Sequence, residues 1–395
     1  MNDADRIDRI GRMLRSQDLA AVFCGRASNV LACTGYWPVV GNSIAIVTRE
    51  GGVGLLVPED EAHLAEGLNI GKIRCFKPAS LNDLAPITEV IREPLKRLIA
   101  DLGCGTGNAG HDAGACTEPV TYAAQFHFGS TLTTILEDAL SGRTLVDLAN
   151  SLTEIRAVLT QSELELVREA CLAAGIGFRT AKAQISAGMR ERQIGLLLGA
   201  SIAAASKDTR AGAFGFCMSG PNSAGAYRAY QMPTERAIQA TDVALLHTNS
   251  FVNGIWTDIT RTYSIGDTAP RVASVQAAIR EATEAALAAI RPGVKGCEVD
   301  AAARSVMERA GFGREFKHAT GHGAGLAAID HNARPRIHPK STDVLEPGMV
   351  FNVEPAAYFS GDFGARQCNM VAVTATGYEL LTDFHLNRAD LLIAQ

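Results

Sequence analysis

The sequence contains no long run of lysine or arginine, and its formal net charge is −5 with a pI near 6.0. Proteins that bind nucleic acids or anionic membranes through charge carry a basic patch or stripe. No apolar stretch reaches the roughly 18 residues of a transmembrane helix, and the N-terminal MNDADRIDRIGRMLRS mixes acids and bases where a signal peptide has an apolar core. These absences predict a soluble cytoplasmic protein without a nucleic-acid or membrane partner.

Paired-cysteine motifs and phosphate-loop signatures are also absent. The nine cysteines are an odd number and show no CxxC spacing, which favours reduced core thiols over a disulfide framework. The glycine-rich segment DLGCGTGNAGHDAGA at 101–115 lacks the pattern GxxxxGK(S/T), so we predict a surface loop there.

Length and composition predict two compact units, because a chain of 395 residues with 47% hydrophobic composition is longer than a usual domain with a single hydrophobic core. The first 150 residues alternate short helices and strands: a helix at Asp5–Ser16, a strand at Ala20–Cys24, a hairpin turning at Glu50-Gly51-Gly52, a strand at Ile73–Phe76 and a helix at Leu84–Arg97. Longer helical patterns follow around a mostly antiparallel sheet, at Glu163–Ile185, Arg190–Ser206, Arg271–Ile290 and Cys297–Ala310.

Ligand-type residues concentrate in the second half, first in VALLHTNSFVNGIWTDITRTY at 243–263. Two apolar runs flank Asn253-Gly254, a dipeptide typical of hairpin turns. A four-residue loop from Phe251 to Gly254 would pair Ser250 with Ile255. That register predicts His247 directly opposite Asp258.

The second group is FKHATGHGAGL at 316–326, where His318 and His322 are four residues apart. They share a face whether the segment is a strand or a helix. The glycines allow a close approach of the backbone to an ion or a substrate. Two histidines of a surface loop are the alternative.

The third group is LEPGMVFNVEPAAYFSGDFGARQCNMVAV at 345–373, with Gly361 midway between Glu354 and Cys368. A hairpin centred on Gly361 makes these two residues cross-strand neighbours. A carboxylate inside an apolar strand needs a partner, because burying it alone is costly. A metal ion would supply that partner.

Four segments resemble the signatures of the aminopeptidase P, prolidase and creatinase superfamily: DITRT, TGHGAGL, EPGMVFNVEP, and SGPNSAGAY at 219–227. The resemblance covers nearly the whole chain in the same order. It implies an α/β (α+β) protein with a pita-bread catalytic domain at 156–395, preceded by a smaller creatinase-type N-terminal α/β domain at 1–155. It also implies a homodimer.

The resemblance further implies five metal-ligand positions, which hold His247, Asp258, His322, Glu354 and Cys368. His247 replaces an aspartate of the family, and Cys368 replaces a glutamate that bridges two ions. A carboxylate bridges two ions through two oxygens, whereas a neutral imidazole offers one lone pair. We therefore predict one divalent ion, with zinc preferred for this ligand set and iron or manganese as alternatives.

Other family positions predict catalytic and substrate-binding roles. Tyr227 stands where the family has a histidine, and its hydroxyl would donate to an oxyanion, or its ring would form a wall of the site. Glu354 would take a proton from water, and His318 would orient a ligand. Arg366, at a position where the family has an arginine, would pair with a substrate or an internal carboxylate. The family's further histidine aligns with Ile329, and His331, two residues later, is predicted to bind substrate in its place, with a surface position as the alternative.

The predicted function is hydrolysis of a peptide or amide C–N bond in a small substrate, as in Xaa-Pro aminopeptidases and dipeptidases. The alternatives are a metal-independent amidohydrolase resembling creatinase or ectoine hydrolase, a lyase, and a non-catalytic binding module. In a reading without metal, Asp258 caps a turn, Glu354 meets Arg366 and Cys368 packs in the core.

Overall fold

The computed structural model describes residues 3–39, 42–77, 84–113, 130–206, 210–228, 232–326 and 333–394. The chain divides into two compact units, the first ending at Arg156 and the second beginning at Ala157. Helices and sheets occur in both units, which confirms the predicted mixture of the two. Among the described residues, no helix is both long enough and apolar enough to span a bilayer.

The first unit is built on a mixed sheet whose six described strands follow the order β4-β3-β2-β1-β5-β6. Buried apolar side chains cover both faces of this sheet. Asp3 begins the first helix by accepting from the backbone N–H of Asp5 at 3.0 Å. The elements are α1 Ala4–Ser16, β1 Leu19–Cys24, α2 Ala27–Thr34, β2 Ile44–Thr48, β3 Val53–Pro58, β4 Lys72–Phe76, α3 Ile87–Asp101, β5 Asn108–His111, α4 Ser130–Ala139, β6 Leu145–Asp147 and α5 Ala149–Ala157.

The prediction of a surface loop at 101–115 is wrong in part. Asn108–His111 form β5, a strand between β1 and β6, and most of it is buried. Small residues allow this, because a Cβ on Gly110 would lie 2.1 Å from a methyl carbon of Leu148. Gly110 therefore serves close packing in the sheet, while residues 114 and 115 lie outside the described part of the chain.

The second unit contains three separate sheets, ordered β15-β9-β8-β7, β10-β13-β14 and β11-β12 among the described strands. Its four helices lie within a few residues of the predicted ones. The elements are α6 Gln161–Gln184, α7 Glu191–Ala205, β7 Ala211–Ser219, β8 Val243–Val252, β9 Ile255–Ile265, α8 Pro270–Ala289, α9 Gly296–Arg309, β10 Val350–Val353, β11 Ala356–Tyr358, β12 Gly364–Arg366, β13 Asn369–Val373, β14 Tyr378–Leu380 and β15 Leu392–Ile393.

The predicted register of the β8–β9 hairpin is wrong. Asn253 and Gly254 form a two-residue turn with φ of 52° and 81°, so Val252 pairs with Ile255. Asn-Gly favours such a turn because both residues tolerate positive φ. His247 therefore lies opposite Thr260, while Asp258 lies opposite Asn249. The error of two residues keeps His247 and Asp258 on one face of the sheet, because side chains alternate with a period of two.

The predicted hairpin around Gly361 is confirmed. Val353 pairs with Asn369 and Ala356 pairs with Arg366, which centres the register on Gly361 at φ of 77°. Glu354 and Cys368 are consequently cross-strand neighbours.

Short backbone bridges bring the three predicted segments together. Thr260 pairs with Cys368, and Gly323 pairs with Phe351. A Cβ on Gly321 would lie 1.8 Å from the carbonyl oxygen of Asn352, so only glycine permits this approach. The glycines of the TGHGAGL segment thus place its histidine against the strand that leads to Glu354.

Candidate metal centre

Three ligand-type side chains converge in the second unit. The ligand atoms of Asp258, Glu354 and Cys368 lie within 4.8 Å of one another, and all three residues are buried. Asp258 comes from β9, Glu354 follows β10 and Cys368 precedes β13. Ligands about 2.0–2.3 Å from one shared ion lie at most about 4.6 Å apart, so little movement would bring the three onto one cation.

Asp258 is the centre of this cluster. Its Oδ1 lies 3.7 Å from His247 Nδ1 and 3.5 Å from Cys368 Sγ. Its Oδ2 lies 3.6 Å from His322 Nε2 and accepts from Asn249 Nδ2 at 2.9 Å. Burial raises the pKa of Asp258, but the nearby His247 and His322 outweigh it and hold the pKa well below its usual value. The carboxylate is therefore ionised.

His322 presents its Nε2 to the cluster. The backbone N–H of His322 donates to Asn352 Oδ1 at 2.7 Å, so the amide nitrogen of Asn352 must face His322 Nε2, at 3.1 Å. His322 Nδ1 lies 3.0 Å from the carbonyl oxygen of Gly323, to which it donates. These contacts favour a neutral ring with its lone pair on Nε2, the arrangement that a metal ligand needs.

Asp258 favours a positive charge at the same place. Burial lowers the pKa of His322, but the nearby carboxylate of Asp258 outweighs it and raises that pKa to about 9. Asn352 opposes a proton on Nε2, while Asp258 attracts one. A cation between Nε2 and the carboxylate satisfies both preferences, because it accepts the lone pair and carries the charge.

The thiol of Cys368 is protonated in the absence of a cation. It donates to the backbone oxygen of Asp258 at 3.1 Å. Burial, with the charges of Asp258 and Glu354 added, raises the pKa of the thiol well above its usual value. A metal ion would deprotonate it, since the thiolate is the form that coordinates metals.

Arg366 lies beside Glu354, with Nη1 3.6 Å from Glu354 Oε2, so the carboxylate nearest Arg366 is an internal one. Its Nε donates to Thr260 Oγ1 at 2.9 Å, and the same oxygen lies 3.0 Å from His247 Nδ1. Burial raises the pKa of Glu354 to about 7, against the lowering effect of Arg366. Glu354 is thus able to exchange a proton near neutral pH.

His318 and Tyr227 both contact Tyr358. His318 Nδ1 donates to the carbonyl oxygen of Ala319 at 2.7 Å, and its Nε2 accepts from the hydroxyl of Tyr358 at 3.0 Å. The ring of Tyr227 lies 5.7 Å from that of Tyr358 and is 37% exposed. His318 therefore contacts the hydroxyl of Tyr358, and His331 lies outside the described residues.

Four polar residues around the cluster are missing from the sequence prediction: Asn249, Thr260, Asn352 and Tyr358. Asn249 and Thr260 lie on the same sheet face as His247 and Asp258. A two-residue turn at Asn253-Gly254 would have indicated both, because the correct register places them opposite the ligand candidates. Asn352 and Tyr358 belong to the strands flanking Glu354, where alternation alone does not distinguish a partner from a core residue.

The charges of the cluster fit one divalent ion. Asp258, Glu354 and a Cys368 thiolate carry three negative charges, and the buried Arg366 carries one positive charge. The remaining two negative charges match one divalent cation. A second cation would leave two positive charges uncompensated in a buried site, which is costly.

A protein-family model described as metallopeptidase family M24 matches residues 165–375. The "Probable dipeptidase PepE" of Mycobacterium tuberculosis is 40% identical over 166 residues, which cover 42% of this chain and 43% of that protein. The "Xaa-Pro dipeptidase" of Pyrococcus furiosus is 29% identical over 232 residues, which cover 58% of this chain and 64% of that protein. The chain thus spans between two fifths and two thirds of the length of these curated relatives.

Solved structures match over nearly the whole length. The dipeptidase PepE of Mycobacterium ulcerans has a TM-score of 0.74 and 25% identity, with 99% of this chain and 98% of that chain covered. The X-Pro aminopeptidase of Thermotoga maritima has a TM-score of 0.78 and 22% identity, with 97% and 100% covered. The likeness to the second establishes the shared fold.

Proposed function

The chain belongs to metallopeptidase family M24, with the pita-bread fold predicted for it, and we propose that it is a metal-dependent peptidase that hydrolyses the C–N bond of small Xaa-Pro peptides. The observation that carries this proposal is the buried convergence of Asp258, Glu354 and Cys368 with the Nε2 of His322. Buried ionisable groups packed this closely are typical of catalytic centres. A related small amide is the other substrate class that such a site would accept.

We propose Asp258, His322, Glu354 and Cys368 as ligands of one ion, with His247 as the fifth. Thiolate and imidazole ligands favour zinc, with iron or manganese as alternatives. The charge balance supports a single ion.

A divalent ion bound there would supply Lewis acidity that polarises the scissile carbonyl and makes a water more acidic. Glu354 would take the proton of the attacking water on a carboxylate oxygen. Arg366 would keep the carboxylate in place, since its guanidinium lies 3.6 Å from Oε2.

His318 would act as a positioning residue, because its Nε2 fixes the hydroxyl of Tyr358. The hydroxyl of Tyr227 would donate to the developing oxyanion, and its exposed fraction of 37% leaves it within reach of a substrate. His331 and Arg366 remain the proposed substrate-binding residues, although the contact of Arg366 with Glu354 supports only an indirect role, in which Arg366 positions Glu354.

We further propose a creatinase-type N-terminal domain at 1–155, a catalytic domain at 156–395, a cytoplasmic location and a homodimer. Eight cysteines in the described part of the chain are not in disulfides, which supports a reducing compartment. Light scattering at known concentration tests the dimer, for which twice the chain mass of 41.8 kDa is expected.

The decisive experiment combines metal analysis with turnover. Protein purified without chelator should contain one equivalent of zinc by mass spectrometry and should hydrolyse Xaa-Pro dipeptides. A chelator should abolish turnover, and added zinc should restore it. Cys368→Ala should lose most of the bound metal.

A metal-independent amidohydrolase is the second candidate. The specific observation in its favour is Arg366, a buried cation already placed against Glu354. Turnover that persists in thoroughly chelated protein would select this candidate and reject the first.

A further inference from the structure

Three aromatic rings lie beside the candidate metal centre on the same face of the sheet. Trp256 is two residues before Asp258 on β9, so both side chains point to one face. Phe251 lies directly opposite Trp256, and Phe214 on β7 lies opposite Asn249. We call Phe214, Phe251 and Trp256 the aromatic platform.

The rings of the platform form one continuous surface. Phe251 and Trp256 have ring centroids 4.8 Å apart. Phe214 and Trp256 are stacked at 6.4 Å with an interplanar angle of 11°, although β8 separates their strands, so the two rings lean toward each other across it. A Cβ on Gly212 would lie 2.8 Å from the ring of Phe251, so glycine at this position gives that ring its place.

The platform is held against the metal centre by backbone and side-chain contacts. The N–H of Trp256 donates to the carbonyl oxygen of Gly325 at 2.8 Å, which ties it to the segment that carries His322. Asn249, between Phe214 and Asp258, is 5% exposed and donates to Asp258 Oδ2. The rings are therefore positioned by the same residues that position the ligand candidates.

Exposure and polarity indicate what the platform binds. Phe214 is 48% exposed, so one ring of this apolar platform faces solvent. The three side chains carry no charge, so a charged group placed on them would lose its hydration without a partner. An apolar ring would instead gain offset or edge contacts with the exposed aromatic surface.

We propose that the aromatic platform is the subsite for an aromatic or bulky apolar side chain of the substrate peptide, next to the scissile bond. Adjacent same-face residues of a strand are about 7 Å apart, which matches the distance from a scissile carbonyl to a neighbouring side chain. The inference rests on the proposed function in one respect, namely that the substrate is a small peptide.

Selectivity in turnover provides the first test. The wild-type enzyme should prefer Phe-Pro to Ala-Pro and Glu-Pro. Trp256→Ala should lower kcat/KM for Phe-Pro about tenfold, mainly through KM, and change Ala-Pro less than about threefold. Phe214→Ala should act in the same direction, and Trp256→Phe should restore most of the preference. Leu196→Ala is the matched control, since Leu196 lies on α7 and is 66% exposed.

Binding without turnover provides the second test. The chain contains two tryptophans, so Trp37→Phe leaves Trp256 as the single indole. In chelator-treated protein, Phe-Pro should quench or shift its fluorescence with a Kd about tenfold below that of Ala-Pro. Equal Kd values, or no response to saturating Phe-Pro, would overturn the proposal.

Separate results would reject the subsite and the hydrolase activity. Selective binding of Phe-Pro without hydrolysis of any peptide would keep the subsite and reject the hydrolase. Hydrolysis in which Trp256→Ala and Phe214→Ala slow Phe-Pro and Ala-Pro equally would keep the hydrolase and reject the subsite. A changed oligomeric mass of both variants with unchanged selectivity would assign the platform to contact with a second copy of the chain, and would also reject the subsite.

Discussion

Two buried aspartates, one in each unit, have opposite surroundings. Asp112 accepts from the backbone N–H groups of Gly25 and Arg26 and from Asn29 Nδ2, each at 2.9 Å. Asp258 accepts one amide N–H, from Asn249, at that distance. Its other side-chain neighbours are the imidazoles of His247 and His322 and the thiol of Cys368, at 3.5–3.7 Å.

The difference distinguishes a structural carboxylate from a candidate ligand. Fixed N–H donors at hydrogen-bond distance stabilise the charge of Asp112 without further help. The neighbours of Asp258 are themselves potential metal ligands, and the two imidazole nitrogens lie farther from its oxygens than an ordinary hydrogen bond. A metal ion, rather than a further N–H, is the partner that such an arrangement accommodates.

The largest expected effect comes from exchanging each aspartate for asparagine. Asp258→Asn should remove metal binding and lower kcat/KM by more than about 100-fold, because it removes a proposed ligand rather than an outer contact. Asp112→Asn should leave the metal content at one equivalent but destabilise the protein by about 2–3 kcal/mol. Metal analysis and urea unfolding measure the two effects, and equal metal loss in both variants would contradict the distinction.

Restoring carboxylates should change the stoichiometry. In the double variant His247→Asp with Cys368→Glu, two more carboxylate ligands surround Asp258, so bound metal should rise from one toward two equivalents of manganese or zinc. Each single variant is the control and should stay near one equivalent. A double variant that binds no metal would show that the cluster is not the metal centre.

Metal affinity should rise with pH. The pKa of His322 is about 9, that of Glu354 is about 7, and that of the Cys368 thiol is well above its usual value, so metal binding must displace protons from protonated groups. In metal-free protein the pairing of His322 with Asp258 stabilises the fold below pH 6.5 and loses this effect as pH rises through about 9.

Calorimetry in buffers of different ionisation enthalpy measures the protons released by zinc between pH 6 and 9. At neutral pH we expect at least about one proton per ion, since the thiol must ionise. Cys368→Ser should release fewer. Zinc binding without proton release in the wild-type protein would rule out a thiolate ligand.

The smallest expected effect distinguishes the two asparagines that bind these aspartates. Asn249→Ala should weaken zinc binding about tenfold, because it frees an oxygen of Asp258 and loosens its orientation. Asn29→Ala removes the equivalent contact to Asp112 and should leave zinc affinity unchanged while lowering Tm. Competition with a chromogenic chelator measures the affinities, and equal affinities in the two variants would contradict this assignment.

Local signals were sufficient for much of the fold. The four long helices of the second unit follow from their apolar periodicity, and the Glu354–Cys368 pair follows from the symmetry of its hairpin about Gly361. The β8–β9 register differs from the predicted one because Asn253-Gly254 forms the complete turn, where the prediction has a four-residue loop. The register differs from the prediction by two residues. Because side chains alternate with a period of two, this shift changes the cross-strand partners but leaves His247 and Asp258 on the same face.

Contacts between distant segments were less predictable. Asn352 fixes the ring of His322 from 30 residues away, and Tyr358 meets His318 from 40 residues away. Neither distance follows from local periodicity. Strand β5 is not predictable from the sequence for a local reason. A glycine that packs against Leu148 in a strand cannot be distinguished, from the sequence alone, from a glycine in a loop.

Zinc K-edge X-ray absorption spectroscopy on the zinc-loaded protein most directly tests the proposed metal centre, which has one ion and a Cys368 ligand. The proposal predicts one sulfur about 2.3 Å from the zinc, with nitrogen and oxygen ligands at about 2.0–2.2 Å, and no zinc–zinc contribution. The sulfur signal should vanish in Cys368→Ser. A shell of nitrogen and oxygen alone in the wild-type protein, or a second metal at about 3.5–4 Å, would contradict it.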